Sequence, residues 1–344
     1  MGGIMFSTEE RHMRKSTILT LAFVLLGGGI LTACGSQSSS PSEANAEQTI
    51  RIGFQTGNTL NVLKESGYLE ERIEEEGLDV SVEWIEFDQG TAVMEALSTN
   101  NIDYGNAADG PGIFAQAQGR DIVYVGASLP HEQGVGIMVK SDSGIETVAD
   151  LKGKSIAAMK GGNHHYLAIL ALEAEGLSAD DVDFRYMGDA SQGRSALETG
   201  EVDALASWDP FFAGVEHTLD VKTLDHNVEG YPNRTFYFST PQFAEESPEL
   251  IQILLEETNR SDQWANENPD EVAELLSNMI GIEKEILDTV VNRRDYGVEN
   301  INEDIIAAQQ KQADDYYRIG LIENEVDVSE IMPVDAAWAT DNIE

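Results

Sequence analysis

The fold class is legible in Val202-Asp203-Ala204-Leu205-Ala206-Ser207-Trp208-Asp209-Pro210-Phe211-Phe212, where a short apolar run meets an abrupt helix start. The run up to Ser207 is the length of one buried strand. Asp209 then reads as an N-cap and Pro210 as the first helical residue, whose missing N–H costs nothing there. The unit recurs along the chain. Expected strands are Ile50–Phe54, Val80–Phe87, Ile122–Gly126, Gly136–Val139, Ser155–Met159, Phe184–Met187, Val202–Ser207 and Thr235–Ser239. Expected helices begin near Asn58, Thr91, Gly110, Val148, His164, Ser191 and Pro210. Strands alternating with amphipathic stretches predict an α/β fold. From Pro248 onward the pattern becomes nearly continuous helix, ending in a long segment from Ile305 to Ile319.

Four strand-to-helix junctions stand out, because ligands of open α/β sheets settle at the carboxyl ends of strands. They are Gln55-Thr56-Gly57-Asn58-Thr59, Ala108-Asp109-Gly110-Pro111-Gly112, Lys160-Gly161-Gly162-Asn163-His164-His165-Tyr166, and Ser207 to Phe212. Asn58 or Thr59, Asp109 and Asp209 read as caps. Any α/β protein needs caps and glycine turns; four converging starts also offer oriented N–H donors to an anion. On this reading no buried lysine or arginine is required.

The first 34 residues carry an export signal. Arg11, Arg14 and Lys15 precede the apolar stretch from Ile18 to Leu31, which closes with Leu31-Thr32-Ala33-Cys34. That length suits a signal peptide rather than a membrane span. The ending is a lipobox, which predicts lipidation of Cys34, and Met13 is a candidate true start. Cys34 is the sole cysteine, so disulfides and thiol catalysis are both excluded from the mature chain. The Ser-rich stretch 34–48 reads as a flexible tether.

The chain is strongly acidic, with 21 Lys+Arg against 62 Asp+Glu and a net charge of −41. Such a field repels nucleic acid. Runs such as Glu70 to Glu76 read as solvated helix faces, and the acidity as adaptation to high salt, where screening shortens the Debye length to about 3 Å at 1 M. No metal is expected: His164 and His165 are adjacent and lack a partner pair at helical spacing, while His131, His217 and His226 are solitary.

At these loops the sequence resembles the aliphatic sulfonate-binding proteins of ABC importers, within a larger family that includes nitrate-, taurine- and thiamine-pyrimidine-binding proteins. The matching stretches are Arg51 to Gln55, Trp84 to Phe87, Met94 to Leu97, Asp109 to Ala117, Asp121 to Gly126, Thr147 to Lys154 and Glu201 to Ala204, leading into Trp208-Asp209-Pro210-Phe211-Phe212. The resemblance implies a two-lobed, periplasmic-binding-protein-like (type II) α/β fold with a helical C-terminal part. Residues 1–33 would be the signal peptide, 49–135 and 238–344 one lobe, and 136–237 the other, with crossings near Gly134–Val139 and Arg234–Ser239. It further implies an extracytoplasmic, lipid-anchored monomer that delivers a small anionic solute to a permease and its ATPase, with no cofactor and no catalysis.

The family's cleft positions fall on Gln55, Asp109, Gly161, Gly162, His165, Trp208 and Asp209, with Asn163, His164 and Tyr166 beside them. The chain departs from the family around His165, with Gly162-Asn163-His164 before it and Tyr166 after it. Amides from Gly161 to His164 would hold the anionic head, Gln55 and His165 would add hydrogen bonds, and Trp208 and Tyr166 would line a channel for the apolar part. Asp109 and Asp209 would serve as caps, or would pair with the ammonium of a ligand such as taurine. A thiamine-type pyrimidine or nitrate remains an alternative ligand. A pyrimidine-synthesis enzyme on the same fold is harder to reconcile with an export signal.

Overall fold

The computed structural model describes residues 48–343, apart from positions 56 and 58. The signal peptide, Cys34 and most of the tether, like a cap at Asn58, lie outside the described residues. Eleven strands are described: β1 (Gln48–Gln55), β2 (Val80–Phe87), β3 (Tyr104–Ala108), β4 (Val123–Ser128), β5 (Val135–Lys140), β6 (Ser155–Ala158), β7 (Asp183–Tyr186), β8 (Ala204–Trp208), β9 (Val221–Thr223), β10 (Thr235–Ser239) and β11 (Val298–Glu299). The helices are α1 (Thr59–Ser66), α2 (Tyr68–Glu75), α3 (Gly90–Ser98), α4 (Asp109–Ala117), α5 (Asn163–Ala174) and α6 (Ala190–Thr199), then α7 (Phe211–Thr218), α8 (Pro241–Glu246), α9 (Pro248–Glu267), α10 (Pro269–Ile280), α11 (Lys284–Asn292) and α12 (Glu303–Arg318). The segment expected to be helical from Val148 is a 3₁₀ turn, Val148–Leu151, closed by a Thr147–Asp150 capping box.

The strands form two sheets. One runs β11-β4-β10-β3-β1-β2 and the other β7-β6-β8-β5-β9. In the first, β1 is parallel to β2 and β3, and β10 is antiparallel to β3 and β4. In the second, β6 is parallel to β7 and β8, while β5 is antiparallel to β8 and β9. The chain passes from one sheet to the other between β4 and β5 and returns between β9 and β10.

The period-2 geometry of strands puts a core on each face of the first sheet. In β10, Tyr237 packs with Leu60, Leu63 and Leu254 of α1 and α9, while Phe236 and Phe238 pack with Val93, Ile113 and Ile305 of α3, α4 and α12. A third cluster joins α1, α7, α10 and α11 through Val62, Ala213, Val272 and Leu287. Among the described residues no helix is long and apolar enough to cross a membrane.

Three strands escape the pattern reading. β3 carries Gly105 and Asn106 in its middle, so no apolar run marks it, although it is a central strand. β9 and β11 are three and two residues long, too short to register as a period.

Candidate functional site

A cavity of about 350 Å³ opens where the parallel strands of both sheets end, a volume within the range of small-molecule sites. Gln55 ends β1 and Gly57 follows it, Asp88 to Thr91 follow β2, and Ala108 ends β3 with Pro111 beyond it in α4. From the second sheet come Met159 to His164 after β6, Met187 and Gly188 after β7, and Trp208 and Asp209 at the end of β8. His131, Gly134 and Asn233 to Thr235, from the two segments that pass between the sheets, complete one side; Val290 and Arg294 complete another.

The start of α5 is the most organised wall. Met159 N–H donates to His164 Nε2 (2.9 Å), which leaves Nδ1 of that ring as the donor toward Asn163 Oδ1 (3.2 Å). Asn163 Nδ2 donates to Asn233 Oδ1 (2.8 Å), and Asn233 Nδ2 to the carbonyl of His131 (2.5 Å). This relay ties the helix start to both passing segments. Burial pushes His164 down to about 3, so the ring is neutral at ordinary pH. Its face stacks on Trp208, with centroids 4.6 Å apart and planes at 24°.

Seven of the ten expected site residues meet here: Gln55, Gly161, Gly162, Asn163, His164, Trp208 and Asp209. Asp109, His165 and Tyr166 do not line the cavity. Asp109 is the first residue of α4 rather than its cap, and turns into the interior. There it accepts from Tyr231 Oη (2.6 Å), the Gly110 amide (2.7 Å) and Gln312 Nε2 (3.1 Å). Burial raises it to about 6 against those hydrogen bonds. His165 lies a third of a turn further round α5, edge-on to Phe184 and Tyr186, with Nδ1 accepting from the Gly161 amide. Tyr166 packs against Tyr231 and Tyr316 and donates to Asp315 Oδ2 (2.7 Å). It therefore belongs to the interior behind the cavity, not to a channel.

The expected amide cradle is also changed. The Gly161, Gly162 and His164 amides donate to His165 Nδ1, the Met159 carbonyl and Asn163 Oδ1. Asp209 does serve the next helix, since its Oδ1 accepts from the Ala213 amide (3.1 Å), but Pro210 occupies the cap position. Its other oxygen makes no hydrogen bond among the described residues and lies 3.6 Å from Arg293 Nη1. Burial raises Asp209 to about 6, with Arg293 opposing.

Positive charge, which the sequence reading did without, is concentrated at this cavity. Lys160, Arg234 and Arg294 all line it. Arg234 is anchored, donating to the Ser128 carbonyl and pairing with Glu299. Arg294 is different: its Nη2 is buried and makes no hydrogen bond among the described residues. His131, also on the wall, is pushed down to about 2 by burial and by Arg294 and Arg293, so it adds no charge. Arg294 lies far along the chain from β1 and just after α11, in a stretch with no junction signature. The packing of α11 against α7 and the hold of α9 on the following segment bring it to the strand ends.

The family described as NMT1/THI5 like matches residues 61–272. The chain belongs to that family. The putative aliphatic sulfonates-binding protein of Escherichia coli (strain K12) is 32% identical over 317 residues, covering 92% of this chain and 95% of that protein. Its counterpart in Bacillus subtilis (strain 168) is 31% identical over 329 residues, covering 93% of this chain and 95% of the other. Among solved structures, the alkanesulfonate-binding protein SsuA from Xanthomonas axonopodis pv. citri, bound to MOPS, matches with a TM-score of 0.76 at 31% identity. That match covers 82% of this chain and 97% of the other. The two-sheet α/β architecture of this family member is thus the periplasmic binding protein fold, as the sequence resemblance implies, and these relatives are named as binding proteins.

Proposed function

We propose that this chain is the solute-binding component of an ABC importer and that it captures an aliphatic sulfonate in the cavity between its sheets. The observation that carries the reading is Arg294, a half-buried arginine that makes no ion pair among the described residues, on a wall it shares with Lys160 and Arg234. A cation without an ionic partner keeps its charge for a ligand, and a charged acceptor answers it best. Met159, Met187, Trp208 and Val290 supply apolar lining for the rest of the molecule. The relatives named for sulfonates support the same chemistry.

In this reading Gln55, Asn163 and the lining residues of the α5 start would contact the ligand, and Asp209 and Asp88 would meet an amine where the sulfonate carries one. Two lobes, 49–135 with 238–344 and 136–237, would close over it; membership of β1 to β4 in one sheet and β5 to β9 in the other supports that division. The protein acts by binding rather than catalysis in this reading, which the relatives named as binding proteins support. A lipid on Cys34 would hold it, as a monomer, near its permease and ATPase; two acyl chains make such attachment stable where one is marginal.

A thermal-shift panel of alkanesulfonates, taurine, nitrate and thiamine pyrimidines tests the ligand class. A sulfonate at a hundred times its Kd should stabilise the fold by about 2.7 kcal/mol. A shift produced by a pyrimidine alone would overturn the reading.

A further inference from the structure

Arg294 stands on the segment that follows α11, and that segment is held along one face of α9. Asn259, Asp262 and Asn266 fall three and four residues apart, so they share that face. Asn259 Oδ1 accepts from the Val298 amide (3.2 Å). Asn266 accepts from the Tyr296 amide (2.9 Å) and donates to the Tyr296 carbonyl (2.8 Å). Asp262 therefore sits between two clamps on the very segment that presents Arg294. It is fully buried, and neither of its oxygens makes a hydrogen bond of normal geometry among the described residues.

We propose, resting on the binding role above, that Asp262 tunes the anion site through space: it makes no ion pair with Arg294 among the described residues, but sits buried behind the segment that carries it, and its ionisation decides how much positive charge faces the cavity.

The groups around Asp262 are consistent with this. Tyr104 of β3, Tyr237 of β10 and Tyr296 feel its charge, and burial keeps all three neutral through ordinary pH. Arg294 is the one cation that acts on it, with the Gly297 amide close enough to add a smaller bias. Burial nonetheless raises the carboxyl to about 7. On the cavity side, Arg294 also faces neutral His131 and Asp209. When Asp262 is ionised, the guanidinium is shared between it and the cavity. When Asp262 is protonated, the whole charge is available to a bound anion. By reciprocity, an anion that engages Arg294 favours protonation of Asp262, so binding takes up a proton.

The experiment uses ethanesulfonate, which stays ionised throughout the range. Calorimetry on the full chain should show its Kd tightening roughly threefold or more from about pH 8 to about pH 6, with proton uptake. D262N should bind at both pH values as the wild type binds at the lower one. A flat wild-type profile overturns the proposal. So does a D262N profile that keeps the wild-type dependence, which would assign the effect to Asp209. If ethanesulfonate binds at no pH, the binding role fails instead. The coupling is then judged in the ligand-free protein, by the carboxyl carbon signal of Asp262 assigned through its loss in D262N. Its titration should move upward in R294Q and stay near the wild-type position in R294K. An unmoved titration in R294Q overturns the coupling.

Discussion

A methyl group on Gly110 would lie 1.9 Å from the carbonyl oxygen of Gly161 and 2.9 Å from Tyr316 Oη. Here the start of α4, on the first sheet, meets the start of α5, on the second, with no room for a side chain. The obstacle is backbone and cannot swing aside, so G110A should cost about 3 kcal/mol, near the upper end for overpacking. Urea unfolding measures it, and a loss well under 1 kcal/mol would show that the two helix starts can separate. The sequence marked Asp109-Gly110-Pro111 as important for a different reason, a capped and exposed helix start. It could not show the actual role of Asp109, because the partners that turn it inward, Tyr231 and Gln312, lie 122 and 203 residues away. Gln55, Gly161 to His164, Trp208 and Asp209 were legible because strand ends converge in any such fold. Arg294 was not, since nothing local to Asn292-Arg293-Arg294 marks a residue that lines the cavity.

At the scale of elements, α12 acts as a strut between the sheets. It packs on α4, and it reaches α5 through Tyr166 Oη to Asp315 Oδ2, Tyr316 Oη to the Gly161 carbonyl and Arg318 to Glu173. Three tyrosine rings, Tyr166, Tyr231 and Tyr316, meet edge-to-face between them. Asp315 keeps Lys311 and Arg318 when the tyrosine hydroxyl is removed. Tyr166→Phe should therefore cost about 1 kcal/mol, the net worth of one hydrogen bond, and leave ligand affinity unchanged. A calorimetric loss of affinity with unchanged stability would place Tyr166 in the site after all. Helices and strands with clear apolar periods could be placed from sequence to within a residue or two, as with Val80–Phe87. The polar middle of β3 and the contacts of α12 depend on neighbours distant in the chain, and so left no local mark.

The whole molecule carries a net charge of −41, and its buried ionisable groups pull in opposite directions. We read the acidity as salt adaptation, so the melting temperature should rise from dilute buffer to molar salt as repulsion is screened; a flat or falling curve would contradict this. In molar salt the interior sets the pH response. Asp109 and Asp209 are raised to about 6 and Asp262 to about 7. The folded state therefore keeps protons that the unfolded chain loses near the usual carboxylate range, and stability falls as pH rises through that window. His131, His164 and His165 are lowered to about 2, about 3 and about 4. The unfolded chain takes up protons near 6.5 that the folded state refuses, so stability falls as pH drops. Glu257, raised by burial, and His226, lowered by it, add one group to each side, so between about pH 4 and about pH 6 the two sets oppose one another and the profile there should be nearly level. Below about 4 the raised carboxyls and His165 are protonated in both states, and the slope of His131 and His164 remains. It is joined there by Asp181, Asp203 and Asp315, whose hydrogen bonds hold them low. Calorimetry across this range should show a plateau and then a steep acid loss. D262N removes one opposing group and should tilt the plateau, so that stability rises with pH; a D262N curve parallel to the wild type would mean that Asp262 ionises alike in both states.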